Sequence, residues 1–345
     1  MKRIHWMDFA RFIAIILVIF THAHETVAYG DTSVKSIFYT IDRMAVPLFL
    51  FISGGLILPQ LHDKSILSFY KKRIPQFLLL IAIYSIVTSA IKYSIDGRTI
   101  FDALMKGAIE NNGFVNNNTY PGSYGYARQM WYMYMIVQIY LVAPFISKMV
   151  VNTKTSHLYI FIALCLLLNQ FKITSHHLGQ DFDFISKLGT DYTGPFLSYF
   201  ISGYIIANRE LPKLAYNNYF CLIMVLVPCA YLYYNDVIND SVNWSLHWYP
   251  RSLPLFVSSL GLCLLIKNMF NNINNSIINN ISLCSFGVFL AHYAFIYITI
   301  HACGLLDITE NKELLLMLAT IAPLLLSLLY VNIMMKYRIT KKLVS

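Results

Sequence analysis

Apolar runs of near membrane-spanning length recur from one end of this sequence to the other. They fall roughly at 8–28, 37–59, 74–95, 128–150, 157–172, 192–208, 214–234, 252–270, 281–303 and 313–335, the fifth and sixth being short. About twenty apolar residues in a helix cross the hydrocarbon core of a bilayer. In lipid every backbone N–H and C=O has to be satisfied internally, and a helix does this within one segment. The expected fold is therefore all-α: a polytopic membrane protein with about ten transmembrane helices, forming one integral membrane domain over 1–345. Charged residues make up 12% of the chain, half the roughly 25% of a soluble domain. The first run keeps ionisable residues and lacks a small-residue cleavage site, so it reads as a helix and not as a signal peptide.

The net charge of +9 does not call for nucleic acid, because most Lys and Arg fall in short loops, where membrane topology puts them. Membrane lipids are the expected surroundings. Placing the N-terminus in the cytoplasm puts the densest basic cluster, Lys71-Lys72-Arg73, on the inner side, and both termini are then cytoplasmic. The six cysteines sit in or beside apolar runs and none shows CxxC spacing. They read as small packing residues, and neither a disulfide framework nor a metal site is expected. The stretch 96–127, rich in Asn, Gly and Tyr, and the Asn-rich 271–280 read as polar connections.

The first run carries the most informative chemistry. Arg11 and His22 are eleven residues apart. On a helix that spacing returns to nearly the same face after a rise of about 16 Å. Ionisable groups at membrane depth are costly and point to function. Arg11 is either a snorkelling arginine paired with Asp8 or a cation that anchors an anionic cytosolic ligand. His22 is either a buried histidine satisfied by a neighbouring helix or the candidate general base. His24 and Glu25, nearer the outer end, read as solvated edge residues facing elsewhere.

The second run brings Asp42-Arg43 to a depth comparable with His22 if it enters the membrane near residue 37. Asp42 is placed to orient His22, and Arg43 to steady an anionic ligand or intermediate; the alternative is a structural pair. Pro47 is expected to kink this helix, and Ser53-Gly54-Gly55 to permit close helix approach. Lys71, Lys72 and Arg73 suit phosphates of a cytosolic donor, besides setting topology. Trp131 heads the fourth run, and Trp244, Trp248 and Tyr249 cluster with His247 in an outer loop. These aromatics form either an interfacial belt or a sugar-stacking platform. His292 is either a buried bridging residue or a second site histidine.

Taken in order, these motifs resemble the acyltransferase-3 family of membrane proteins. Asp8-x-x-Arg11 with the spacing to His22 is similar to that family's opening motif. Val46-Pro47-Leu48-Phe49-Leu50-Phe51-Ile52-Ser53-Gly54 is similar to its second-helix signature. Met130-Trp131-Tyr132 through Ala143-Pro144, Ser202-Gly203-Tyr204 and Phe289-Leu290-Ala291-His292 also fit. The resemblance implies a ten-helix protein of the bacterial cytoplasmic (inner) membrane. It implies an acyl group, usually acetyl, taken from cytosolic acyl-CoA and passed to a hydroxyl of a surface polysaccharide or its lipid-linked precursor. Acetyl-CoA is then a substrate, and no permanently bound cofactor or metal is expected. The resemblance makes His22 the catalytic histidine, either as general base toward the acceptor hydroxyl or as carrier of the acyl group itself, and Arg11 a donor-binding residue. The family's Arg-x-x-Arg pair before the third helix is met at Arg73 only; Tyr70 stands at the first position, with Lys71 or Lys72 as substitutes.

Two other classes share the many helices and the intramembrane charges. One is a polysaccharide transporter or flippase, for which inverted repeats would be expected; no internal repeat is visible. The other is a non-catalytic subunit of a polysaccharide-synthesis complex, in which Arg11 and His22 would be dispensable.

Overall fold

The computed structural model describes residues 3–114, 126–180 and 195–344. Among these the chain is helical without strands, and nine stretches are long and apolar enough to cross a membrane. Residues 115–125, in the expected long connection, and 192–194, at the start of the sixth expected segment, lie outside the described residues. The chain groups into two compact units, which are described separately.

The first unit comprises Met1–Thr21, Gly30–Lys64 and Ala143–Ser282. It begins with most of α1 (His5–Val27) and continues through α2 (Thr32–Asp42) and α3 (Ala45–Leu61). It then takes the end of α6 (Trp131–Asn152), followed by α7 (Thr155–Leu166) and α8 (Lys172–His177), which are joined by a π-turn over Leu167–Phe171. Last come α9 (Leu197–Asn208), α10 (Asn218–Ile238), α11 (Leu253–Phe270) and the first turns of α12 (Ser276–Leu305).

The expected second segment starts earlier than the apolar pattern suggests, at Thr32, where Asp31 caps it by accepting from the Val34 N–H. It is interrupted where a kink was expected, by Arg43 and Met44, which keep αR dihedrals, so that Thr32–Leu61 still makes one spanning stretch. The cause is Pro47, which has no N–H to donate to the Arg43 carbonyl and whose ring collides with it. The Met44 N–H turns back tightly to the Ile41 carbonyl instead, and α3 restarts with Pro47 in its first turn, where no donor is needed.

The close approach expected at Ser53-Gly54-Gly55 is present, and α9 is the partner. A Cβ on Gly54 would lie 1.8 Å from the Phe200 carbonyl oxygen, and one on Gly203 would lie 2.0 Å from that of Phe51. The two backbones touch, as small residues allow inside membranes. With only 12 residues, α9 reaches about 18 Å, less than a bilayer. It is held by burial of every residue from Ser198 to Ile206.

The second unit comprises His22–Tyr29, Ser65–Val142 and Leu283–Ser345. It holds the end of α1, all of α4 (Ile66–Ile95) and α5 (Ile100–Glu110), most of α6 and α12, then α13 (Lys312–Met334) and α14 (Arg338–Lys341). Helix α5 lies inside the stretch expected to be a polar connection. Thr99 caps it, and it packs back along α4 through Ala103 and Gly107. A Cβ on Gly107 would meet the Ile86 carbonyl oxygen at 2.9 Å. Tyr93, Ala90 and Ala103 form a small core, and the Asn111 amide donates to the Tyr93 hydroxyl at 2.7 Å. The opposite face exposes Ile100, Phe101 and Ile109, an apolar surface suited to lipid.

Candidate active site

Helix α1 carries both Arg11 and His22. Near its start Asp8 is a buried hub. One of its oxygens accepts from Arg3 Nε at 2.7 Å and the other from the Ser282 hydroxyl at 2.6 Å. Arg11 stands off at 3.8 Å, with its side chain 30% exposed. The i+3 pairing with Asp8 foreseen for Arg11 is therefore present but loose, because Arg3 and Ser282 hold the carboxylate tightly. Arg3 was not singled out from the sequence, since nothing local distinguishes it from an ordinary terminal charge.

His22 lies in the second unit, in a cluster of rings. The His292 imidazole stacks on it with centroids 5.4 Å apart, and the Tyr293 ring meets it edge-on at 4.9 Å. His22 Nδ1 faces Glu25 Oε2 at 3.5 Å, one helical turn away. His24 and Glu25 thus depart from the solvated role expected of them. His24 is buried, and Glu25 is the carboxylate beside the imidazole. The signal was present in the i, i+3 spacing.

His292 is fully buried, and its Nδ1 donates to the Phe289 carbonyl at 2.7 Å. That fixes the tautomer and leaves Nε2 as an acceptor with no partner among the described residues. Gln129, likewise fully buried, donates its amide to the Leu290 carbonyl and to the Thr88 hydroxyl.

Asp42 and Arg43 lie in the first unit, at the break between α2 and α3. Asp42 is buried, with Arg43 Nε 3.9 Å from its carboxylate. The Arg43 guanidinium lies over the Tyr39 ring at 4.8 Å and near that of Trp244 at 5.9 Å, a cation–π arrangement. Behind Tyr39 is a network that joins residues far apart in the sequence. One Asp236 oxygen accepts from the Ser36 hydroxyl at 2.6 Å and faces His247 Nε2 at 2.7 Å; the other accepts from the Asn243 N–H. This fastens the 239–252 loop, with Trp244 and Trp248, onto α2. Trp244 is exposed and edge-on to Tyr39, and Trp248 packs beside Tyr249. Trp131, in the second unit, heads α6 as expected and packs edge-on to Tyr132.

Lys71, Lys72 and Arg73 are exposed on the first turns of α4. A cavity of about 440 Å³ is lined by Ser65, Leu67, Ser68, Lys71 and Lys72. Two cations beside a helix N-terminus favour an anion. Tyr70, standing where an arginine was expected, donates its hydroxyl to the Leu141 carbonyl and so serves packing. Among the described residues no group of acidic, His and Cys side chains could hold a metal ion.

An apolar helical frame with a permanent cation and an accessible imidazole on one helix suits transfer of a group from an anionic donor. The comparison with known families bears on this directly: the model of the acyltransferase domain that defines the acyltransferase-3 family matches residues 4–332. The chain belongs to that family. It is a multi-pass membrane acyltransferase, with the matched domain spanning nearly its whole length. Neither a curated protein nor a solved structure matches it.

Proposed function

We propose that this acyltransferase moves an acetyl group from cytosolic acetyl-CoA to a hydroxyl of a cell-surface polysaccharide or its lipid-linked precursor, in the cytoplasmic membrane of a bacterium. Both termini are taken to be cytoplasmic, so that Lys71, Lys72 and Arg73 face the cytosol and receive the donor's phosphates. Arg11 steadies the anionic donor further along. The observation that carries the reading is the setting of His22: largely enclosed by rings, 12% exposed, and with one nitrogen turned toward a carboxylate.

With the Glu25 carboxylate 3.5 Å from Nδ1, the proton is assigned to that nitrogen, so that Nε2 keeps its lone pair and acts as the base. The acceptor hydroxyl adds to the thioester carbonyl carbon while its proton passes to Nε2. The C–S bond then breaks, and coenzyme A leaves as a thiolate that takes up that proton. His292 and the aromatic residues Trp131, Trp244 and Trp248 are assigned to the acceptor, and Arg43 to the negative charge that develops at the carbonyl oxygen. An orienting role of Asp42 toward His22 belongs to the same proposal. A double-mutant cycle on kcat with coupling below about 0.5 kcal/mol removes that role.

The test is acetyl-CoA turnover by the purified chain in nanodiscs, with glycan from the cells that carry it. His22→Ala is expected to lower kcat at least about a hundredfold, and Arg11→Ala to raise KM for the donor. Equal turnover by wild type and His22→Ala removes His22 from the chemistry.

A further inference from the structure

Past α13 the chain turns back on itself. The Thr340 hydroxyl donates to the Met334 carbonyl, and residues 335–344, with α14 inside them, lie against the second unit as a strap. The strap's backbone is held at successive residues. The Gln76 amide donates to the Lys342 carbonyl at 3.3 Å, and the Tyr84 hydroxyl donates to the Leu343 carbonyl at 3.1 Å. Val344 is 1% exposed. It sits where α12 carries no side chain, since a Cβ on Gly287 would lie 2.9 Å from the Val344 Cβ. Lys341 and Lys342 stay exposed.

Gln76 is one helical turn from Lys72 and Arg73, so the three share a face of α4. Lys72 also lines the cavity at the start of that helix. The Gln76 contact therefore brings Lys342 beside cations already assigned to the donor. Charge is sharply divided in this unit. At this end α4 carries Lys71, Lys72 and Arg73, and the strap adds Lys336, Arg338, Lys341 and Lys342. The unit's carboxylates all belong to the opposite helix ends: the last turns of α1, the residue after α4, α5, and the connection into α13. Like charges with no acid among them repel, and a polyanion is the ligand that relieves the repulsion.

Resting on the acyl-transfer reading, we propose that the strap is a second wall of the donor site: Lys342 binds a phosphate of coenzyme A together with Lys72 and Arg73, and Val344 anchors it there. Coenzyme A carries a diphosphate and a separate ribose phosphate, so cations supplied from two chain segments suit it. The strap also makes good the cation lacking at Tyr70, whose hydroxyl is committed to the Leu141 carbonyl. Burial of Val344 and the two side-chain hydrogen bonds fix the strap's backbone before any ligand arrives. Little ordering is then left to be paid on binding.

Lys342 is exposed, so Lys342→Glu should fold as the wild type does, with an unchanged melting temperature. The purified chain in phosphatidylcholine nanodiscs is given acetyl-CoA or S-acetyl-pantetheine, which lacks the nucleotide phosphates, and Kd for coenzyme A is measured alongside. Lys342→Glu is expected to raise KM for acetyl-CoA and Kd for coenzyme A at least about tenfold, with kcat unchanged. KM for S-acetyl-pantetheine should not move, and Lys342→Arg should keep wild-type affinity. Val344→Asp, which releases the anchor, should reproduce the KM defect in whatever fraction folds. Unchanged Kd and KM in Lys342→Glu overturn the proposal, as does an equal rise in KM for both donors. So does a defect that is absent in phosphatidylcholine and emerges only with phosphatidylglycerol, which would assign Lys342 to a lipid headgroup. A wild-type chain that neither binds coenzyme A nor turns over acetyl-CoA instead refutes the acyl-transfer reading, and the strap's role with it.

Discussion

Two histidines in this protein each face a carboxylate, and they are built in opposite ways. His247 meets Asp236 at 2.7 Å, with both side chains essentially sealed off at 0% and 1% exposure. Asp236 is further bound by Ser36 and the Asn243 N–H. His22 meets Glu25 at 3.5 Å, with side chains 12% and 19% exposed. Short distance and full burial look like the better catalytic geometry, yet no substrate can reach His247. A carboxylate saturated with donors in a closed site holds elements together. A looser pair that remains accessible can change partners during a reaction. Access, and not tightness, separates the two.

The comparison can be broken at either pair. Asp236→Ala should have the largest effect, lowering stability by about 3–5 kcal/mol because it strands a buried partner. Thermal unfolding in detergent measures this, with kcat per folded molecule retained. If kcat collapses while stability holds, the roles of the two pairs are reversed. Glu25→Gln should leave stability nearly unchanged and lower kcat about 10–100-fold, or about 1.4–2.7 kcal/mol. Its KM for donor should stay constant, and Glu25→Asp should recover part of the rate; an unaltered kcat would make Glu25 a bystander. Ser36→Ala should cost only about 1 kcal/mol, seen as a small fall in melting temperature, since Asp236 keeps its other donors.

What could be read in advance follows a physical pattern. Features fixed within one helix were legible: the Arg11–His22 spacing, the close approach at Gly54 and the Trp131 start of α6 all depend on local periodicity or residue size. The Pro47 effect was foreseen in kind, because its missing N–H and its ring act on the Arg43 carbonyl one turn earlier. Helix α5 was hidden by its polar flanks, although Thr99, Ala103 and Gly107 carried a cap and a packing face. The Ser36–Asp236 contact joins residues two hundred positions apart, and no local pattern encodes it. Glu25 is the instructive miss, being one turn from His22 and readable from spacing alone.

Helix α1 also acts as a ruler. The separation between Arg11 and His22 is set by the helix's own hydrogen bonds, so neighbouring helices can exchange side chains without altering it. Register is its weak point. One residue inserted between them would turn the imidazole by about 100°, while a four-residue insertion would nearly restore its direction and lengthen the gap by about 6 Å. Direction and reach are therefore written into the chain as one number of residues, and evolution can substitute side chains along that interval far more freely than it can change its length.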